Sequence, residues 1–468
     1  MSSIVIRKSE AREMPVEEIY RTNPHQKSLQ RGIMALLTLV IVEGLLRKIF
    51  PFLSVPLFFA KDFVVLYLGL KASLGKLPEA GERILTWQIV LLVLMLPCIL
   101  DTTLRDPVLG VFGTKQYCLF PFVGVTLCAA YLPDQGRELA KLLKFLALSI
   151  VLTSALAMLQ SRLPTGHWLN TTPDGESLAG FSAGGKLRVS SSFIFVAQYC
   201  MYLNAMVGFL ASFIMLRKVG RGLWYRLLPV IILCFFIIGV FITGSRTAVV
   251  GTLVITVAGS AALLFGSGAA KAVRVFIFLG VAFFVYLAMH AVFPDAFIAY
   301  ETRSQDQGGV SHNQEVIERI MKGLFDWTGA IKTTPVLGNG LGIQSNGSER
   351  LSAWAALMKD RWGWMETDQH MVVFEGGVYL VSIWYSFRLF VIFYTGFCML
   401  AIRDPLKATS AAFCWGFVLV EGVEGTLSIQ PPLTIWWWTS IGFILCLREY
   451  DKIASPMNLK NQTHVGNL

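Results

Sequence analysis

Residues 275–293 read VFIFLGVAFFVYLAMHAVF and residues 227–243 read LLPVIILCFFIIGVFIT, two runs without a single Asp, Glu, Lys or Arg. About 20 apolar residues at 1.5 Å each cross the hydrocarbon layer of a bilayer. Together with QIVLLVLMLPCIL at 88–100, these runs make the chain an all-α polytopic membrane protein. The composition agrees: of 468 residues, 54% are apolar and 15% are charged, against roughly 25% charged in soluble domains. A chain this apolar has too few polar residues to cover the surfaces of several water-soluble domains of about 150 residues.

Working outward from these runs, apolar stretches bounded by charge, Pro or Gly give twelve expected transmembrane helices: 31–50, 55–73, 84–101, 107–132, 139–160, 191–216, 227–243, 247–266, 272–293, 370–402, 408–428 and 433–448. Lys and Arg gather in alternate connections, for instance Arg7, Lys8, Arg12, Arg21, Lys27 and Arg31, then Arg217, Lys218, Arg221 and Arg226. The positive-inside rule therefore places both termini in the cytoplasm. The expected organisation is a cytoplasmic N-terminal segment 1–30, helices one to nine within 31–293, a long periplasmic loop 294–369 between helices nine and ten, helices ten to twelve within 370–448, and a cytoplasmic tail 449–468. Residues 161–190 read as an irregular outer loop or re-entrant segment. Segment 1–30 has no short apolar core before a small-residue cleavage site, so the first helix is expected to stay as an anchor. Trp436, Trp437 and Trp438 follow Pro431 and Pro432, the pattern of an interfacial aromatic belt.

Lys and Arg number 40 against 30 Asp and Glu, a net charge of +10. They form no basic stripe interleaved with aromatics, which argues against nucleic acid as a partner. The eight Cys fall mostly inside apolar runs, with no C-x-x-C pair and no His at metal spacing, so they read as small hydrophobes.

An ionisable group inside a bilayer costs roughly 2.5–3.5 kcal/mol on insertion scales and needs a partner or a task. Glu43 and Arg47 lie four apart, a spacing that pairs them on one helical face; Lys48 follows, and Lys61 and Asp62 open the second run. Glu421 and Glu424 lie near the outer end of the eleventh run, and Glu375 lies just inside the tenth. The structural alternative is one Glu43–Arg47 ion pair with Lys48 and Lys61 snorkelling. Residues 243–247, TGSRT, form a tight turn that sets Arg246 in the first turn of a helix, where free N–H groups favour an anion. A lipid-facing interfacial Arg is the competing account.

In the long loop, Ser311 to Gln314 has the spacing of a capping box, and apolar residues from Val316 to Ile331 recur at three and four. An amphipathic helix over 314–333 follows, with Arg319, Lys322 and Asp326 on its polar face. Pro335-Val-Leu-Gly338-Asn-Gly340-Leu-Gly342 has no preceding strand and no β-α-β context, so it is not a dinucleotide loop. It reads as a tight turn permitting close backbone approach. His370 heads the tenth run, followed by Glu375-Gly376-Gly377.

The order of these features resembles the O-antigen ligase and polymerase superfamily: Ser245-Arg246-Thr247-Ala248 opening a helix, Arg319 before Trp327 in a long loop, the Pro335–Gly342 turn, and His370 with Glu375-Gly376-Gly377. The resemblance covers roughly residues 190–400, and the twelve-helix layout extends it over the chain. Glu43-Gly-Leu-Leu-Arg47-Lys48 with Lys61-Asp62 is similar to a motif of an exopolysaccharide-associated branch; Met371 departs from the commoner Asn. The resemblance implies an inverting, metal-independent glycosyltransferase of the bacterial inner membrane. It would move glycan from a polyprenyl-diphosphate carrier to a sugar hydroxyl on the periplasmic face, with no cofactor. The Glu43–Lys48 stretch favours a repeat-unit polymerase over a ligase that transfers polymer to a lipid core.

In that frame Arg246 and Arg319 stabilise the diphosphate leaving group, His370 is the general base, and Glu375 orients it. Arg47, Lys48, Lys322, Glu43, Asp62 and the turn glycines Gly338, Gly340 and Gly342 contact substrate. Alternatively, Asp62 or Glu43 serves as base or metal ligand. The implied partners are the carrier-linked donor, the glycan acceptor, membrane lipids and other polysaccharide assembly proteins. Two other classes compete: a transporter or flippase, which calls for charge or broken helices near the midplane, and a non-catalytic assembly subunit.

Overall fold

The computed structural model describes residues 24–465 apart from 135–137, 179–181, 183–186, 218–221, 267–268, 295–296, 299–317, 319–320, 322–324, 326 and 366. Its regular elements are helices. The first six are α1 (Pro24–Ile49), α2 (Ser54–Ser73), α3 (Glu79–Arg105), α4 (Pro107–Cys118), α5 (Pro121–Tyr131) and α6 (Leu139–Ser161). Then come α7 (Val196–Leu216), α8 (Leu223–Ile242), α9 (Arg246–Gly266) and α10 (Ala269–Val292). Three short helices, α11 (Trp327–Ala330), α12 (Ser348–Leu351) and α13 (Ala353–Trp362), precede α14 (Asp368–Leu400), α15 (Pro405–Glu424) and α16 (Pro431–Val465).

Each expected run lies on a helix, and 107–132 is divided between α4 and α5. Among the described residues, seven helices are long and apolar enough to cross a membrane, or eight if the pair α4–α5, bent by 46°, is one span. Exposed Phe63, Val111, Leu152, Phe284 and Phe397 lie on these and neighbouring helices. A belt of that chemistry is stable against lipid rather than water. The protein is a multi-pass membrane protein by helix length and hydropathy. The boundaries that differ most from expectation are at the two ends, where α1 already begins at Pro24 and α16 continues through the expected tail to Val465, and the expected run 191–216 becomes helical only at Val196. The polar ends of both are helical, so apolarity alone misplaced their limits.

Inside the bundle, small residues let backbones approach, as membrane helices require in the absence of a hydrophobic drive between them. A Cβ on Gly208 of α7 would stand 2.7 Å from Cys414 Cα of α15, and one on Gly416 of α15 would stand 2.5 Å from the Ile255 carbonyl oxygen of α9. The helix α16 lies in this interior, which overturns the aromatic-belt reading of Trp436, Trp437 and Trp438. All three are buried. Trp437 Nε1 donates to the Val418 carbonyl at 2.9 Å, Trp436 packs edge-on against Tyr202, and Trp438 packs against Phe387. Three consecutive residues cover most of a helix circumference, so all are buried only where neighbours surround the helix.

The long loop is attached to the bundle by a small second core. Ile343, Ala355, Met358 and Met365 pack with Leu109 of α4 and with Met371 and Phe374 of α14. At its edge Asp106 caps α4, accepting from Val108 N and Leu109 N at 3.0 Å each, and Ser352 Oγ donates to its other oxygen at 2.5 Å. The Ser352 hydrogen bond, opposed by burial, holds the Asp106 carboxyl below its usual range. Within the expected helix 314–333, Glu318, Met321, Phe325 and Trp327–Ala330 are helical. Arg319, Lys322, Asp326 and the capping residues Ser311 to Gln314 lie outside the described residues.

The α14–α15–α16 corner is held by a fully buried ion pair. Arg388 Nη1 meets Asp368 Oδ2 at 2.5 Å, and Arg388 Nε and Nη2 donate to the carbonyls of Gly422, Gly425 and Glu421 at 2.7, 2.9 and 3.1 Å. Ser428 Oγ donates to Asp368 Oδ1 at 2.6 Å and Tyr385 Oη to Oδ2 at 2.9 Å. Removing one member of such a pair leaves an uncompensated buried charge and costs about 3–5 kcal/mol. Arg388→Met should therefore lower the thermal unfolding midpoint in detergent, and Asp368→Asn added to it should recover part of the loss.

Candidate functional site

Two groups of polar side chains stand out in an otherwise apolar bundle. The first is at the end of α1 and the start of α2. Glu43 is shared by two cations: Arg47 Nη1 lies 3.2 Å from Oε1 and Lys61 Nζ lies 2.9 Å from Oε2. Asp62 Oδ2 pairs with Lys115 of α4 at 2.6 Å, while its Oδ1 has no hydrogen-bond partner. The Phe58 ring organises the cations, with Arg47, Lys61 and Lys115 at 5.5, 4.4 and 5.7 Å from its centroid. Cations over a ring face gain roughly 0.5–2 kcal/mol each.

Lys48, the next residue on α1, is 7% exposed. Its ammonium donates to the Leu169 carbonyl at 2.8 Å and to Ser190 Oγ at 3.2 Å, and it forms no ion pair among the described residues. The snorkelling account of Lys48 and Lys61 is thereby corrected, since both ammonium groups point into protein. The group around Phe58 holds three cations, Arg47, Lys61 and Lys115, against two carboxylates, Glu43 and Asp62, and Lys48 stands beside it with neutral partners. Buried charge in surplus calls for a counter-charge.

A non-helical segment before α7 carries this group across the bundle. Ser191 stands at φ 54°, a conformation costing of order 1–3 kcal/mol for a residue other than Gly. Hydrogen bonds hold it: Ser191 N donates to Gln160 Oε1 at 2.7 Å and Ser191 Oγ to the Thr153 carbonyl at 2.6 Å. Ser192 Oγ donates to the Ile41 carbonyl of α1 at 2.6 Å. Gly44 of α1 makes room, since a Cβ there would meet Ile194 N at 2.5 Å. Two residues from Ser190, Arg188 donates through Nη2 to Ser245 Oγ at 3.2 Å, and α9 begins at the next residue, Arg246. The Glu43–Lys48 stretch and the Ser245-Arg246 turn, some two hundred residues apart in sequence, are thus bridged by Arg188–Ser190.

The second group lies around the first turns of α14. Thr367 caps the helix through the His370 N–H at 3.4 Å, and buried Asp368 fixes the turn that carries His370. His370 itself is half-buried. Glu375 does not orient it: Tyr117 Oη donates to Glu375 Oε2 at 2.7 Å and Gln344 N donates to Oε1 at 2.8 Å. Five residues along a helix point well away from one another, which is why this expectation fails.

The glycine turn faces the protein and not a ligand. Asn339 N and Gly340 N donate to the carbonyls of Phe374 and Glu375 at 3.0 Å each. A Cβ on Gly338 would stand 2.3 Å from the Glu375 carbonyl oxygen, and one on Gly342 would stand 2.8 Å from Gly113 Cα of α4. The close approach read from the turn exists: Gly338 packs against α14 just before its kink at Gly377, φ 62°, and Gly342 packs against α4. Lys115 and Tyr117, two residues apart on α4, tie the groups together, the first to Asp62 and the second to Glu375. Glu421 accepts from Asn204 Nδ2 at 3.1 Å inside the bundle, whereas Glu424 is exposed.

Lys115, Tyr117, Arg188, Asp368 and Arg388 were not among the residues singled out from sequence. Lys115 and Arg388 carried a usable signal, a charge inside an apolar run. No three His, Cys, Asp or Glu are grouped to hold a metal ion among the described residues. Comparison with known proteins gives no match, neither to a protein family nor to a curated sequence.

The glycine clamp generates a direct test. A Cβ on Gly377 would lie 2.2 Å from the Pro335 and Val336 carbonyl oxygens at a positive φ, whereas Gly166 has nothing within 4 Å. Gly377→Ala should lower the thermal midpoint by an amount equivalent to about 1–3 kcal/mol, and Gly166→Ala should leave it unchanged.

Proposed function

We propose that this protein is a membrane glycosyltransferase that moves glycan from a polyprenyl-diphosphate carrier to a sugar hydroxyl, acting as a repeat-unit polymerase for a surface polysaccharide. The observation that supports the reading is the buried Lys48 ammonium, which among the described residues meets neutral oxygens alone, on a segment whose Arg188 reaches Ser245 just before Arg246. A diphosphate is the counter-charge such a group accommodates, and fixed cations aimed at a leaving diphosphate stabilise the charge that develops as the glycosidic carbon–oxygen bond to it breaks. His370, on a turn held rigid by Asp368 and Arg388, takes the proton of the acceptor hydroxyl, a contribution of roughly 10²–10⁴-fold. Arg319 belongs to the same reading by sequence. Twelve transmembrane helices, cytoplasmic termini, a periplasmic 294–369 and an inner-membrane location complete it.

A second reading, translocation of a lipid-linked glycan, is favoured by one feature, the 46° break between α4 and α5 beside the in-helix Asp62–Lys115 pair. The two differ in what accumulates on the carrier. In a strain lacking the chromosomal copy, Lys48→Ala, Arg246→Ala and His370→Ala should each abolish polymer while the protein still inserts, leaving single repeat units on the carrier at the outer leaflet. Repeat units retained on the inner leaflet would indicate the translocase. Normal polymer from all three variants would overturn both readings.

A further inference from the structure

A pocket of about 430 Å³ opens where α1 and α6 begin. Three cations line it, Lys27 and Arg31 of α1 and Lys141 of α6, with one carboxylate, Glu138. Glu138 pairs with Lys141 at 2.6 Å. Lys27 and Arg31 are both exposed, and neither forms an ion pair among the described residues. They lie four apart on one helical face, a spacing at which like charges repel, so an anion held between them turns repulsion into attraction. Packed helices present these cations. Buried Gln30, from the same wall, donates through Nε2 to the Ala130 carbonyl at 2.9 Å, and the carbonyl of Tyr131, also in the wall, accepts from the Tyr450 hydroxyl of α16.

We infer that this pocket binds the phosphate group of an anionic ligand. Arg31 offers the forked N–H donors that match phosphate oxygens, Lys27 adds a second charge, and Lys141 a third that it shares with Glu138. Beside the cations the wall turns apolar, with Met34 three residues along α1 from Arg31 and Leu142 next to Lys141. The helix α6 is long and apolar enough to cross a membrane. Basic pockets between membrane helices take the headgroups of anionic phospholipids, and a soluble phosphate compound presents the same oxygens. Charge asymmetry in the sequence gives Lys27 and Arg31 only a part in orienting the chain, whereas the pocket gives them a ligand. The inference is independent of glycosyl transfer, since none of the residues assigned to that reaction lines the pocket.

A ligand that binds the folded state alone raises the thermal midpoint in proportion to its occupancy, which supplies the test. The full-length protein in a neutral detergent is melted during separate titrations with phosphatidylglycerol, phosphatidylcholine and sodium phosphate, at constant ionic strength. A saturable rise is expected with phosphatidylglycerol or with phosphate, and none with phosphatidylcholine. Lys27→Gln with Arg31→Gln should weaken the apparent affinity about tenfold or more. Glu138→Gln, which removes the competing carboxylate, should strengthen it, a sign that loss of fold does not produce. Arg162→Gln, exposed at the far end of α6, should titrate like the wild type. Lys27→Gln alone gives the same direction if the double variant fails to fold. A response to phosphatidylglycerol without one to phosphate identifies a lipid headgroup, and a response to phosphate identifies a soluble source. Titrations of both anions that are the same in the wild type and the Lys27 and Arg31 variants, or no saturable rise with either, would overturn the inference.

Discussion

An ammonium group buried in a membrane bundle, with no carboxylate partner among the described residues, is the constraint around which this structure is arranged. Among the described residues Lys48 meets the Leu169 carbonyl and the Ser190 hydroxyl, so oxygen dipoles from two separate parts of the chain are carried to it. That requirement accounts for a stretch of irregular backbone inside the bundle. Non-helical backbone is tolerated at such depth only when protein satisfies its polar groups, and here Gln160, Thr153 and Ile41 do so. The left-handed Ser191 and the close approach at Gly44 are further consequences of bringing that segment to α1.

The same segment sets the relation between distant parts of the sequence. Arg188 reaches Ser245 just before α9, so the segment that meets Lys48 also meets the start of α9. On the other side of α4, Tyr117 grips Glu375, and the glycine turn closes over the kink at Gly377. A single short helix thereby touches the cationic cluster through Lys115 and the His370-bearing helix through Tyr117.

Much of the fold was legible because its signal is one-dimensional. Apolar runs give helices wherever they occur, and the TGSRT turn placed Arg246 at a helix start without knowledge of any neighbour. Partner choice is a different matter. Glu43 with Arg47 could be read from a spacing of four, but Lys61 as a second partner of Glu43, Lys115 as the partner of Asp62, and Asp368 with Arg388 depend on how helices are juxtaposed. The Trp436–Trp438 triplet was misread for the same reason, and what the glycine turn approaches was not legible either. A belt and a buried helix use the same residues, and a glycine needed against a ligand looks the same as one needed against a neighbouring helix. Lys115 and Arg388 stand in the sequence as charges in apolar runs, the same signal that marks Glu43.

The central claim is that the Lys48 ammonium, with no carboxylate partner among the described residues, holds an anionic headgroup. The most direct measurement is an electron cryo-microscopy map of the protein in nanodiscs containing a short-chain polyprenyl diphosphate. The account predicts diphosphate density in contact with the Lys48 ammonium and the neighbouring arginines. Lys48 bonded only to Leu169 and Ser190, with the diphosphate elsewhere or absent at saturating lipid, would contradict it.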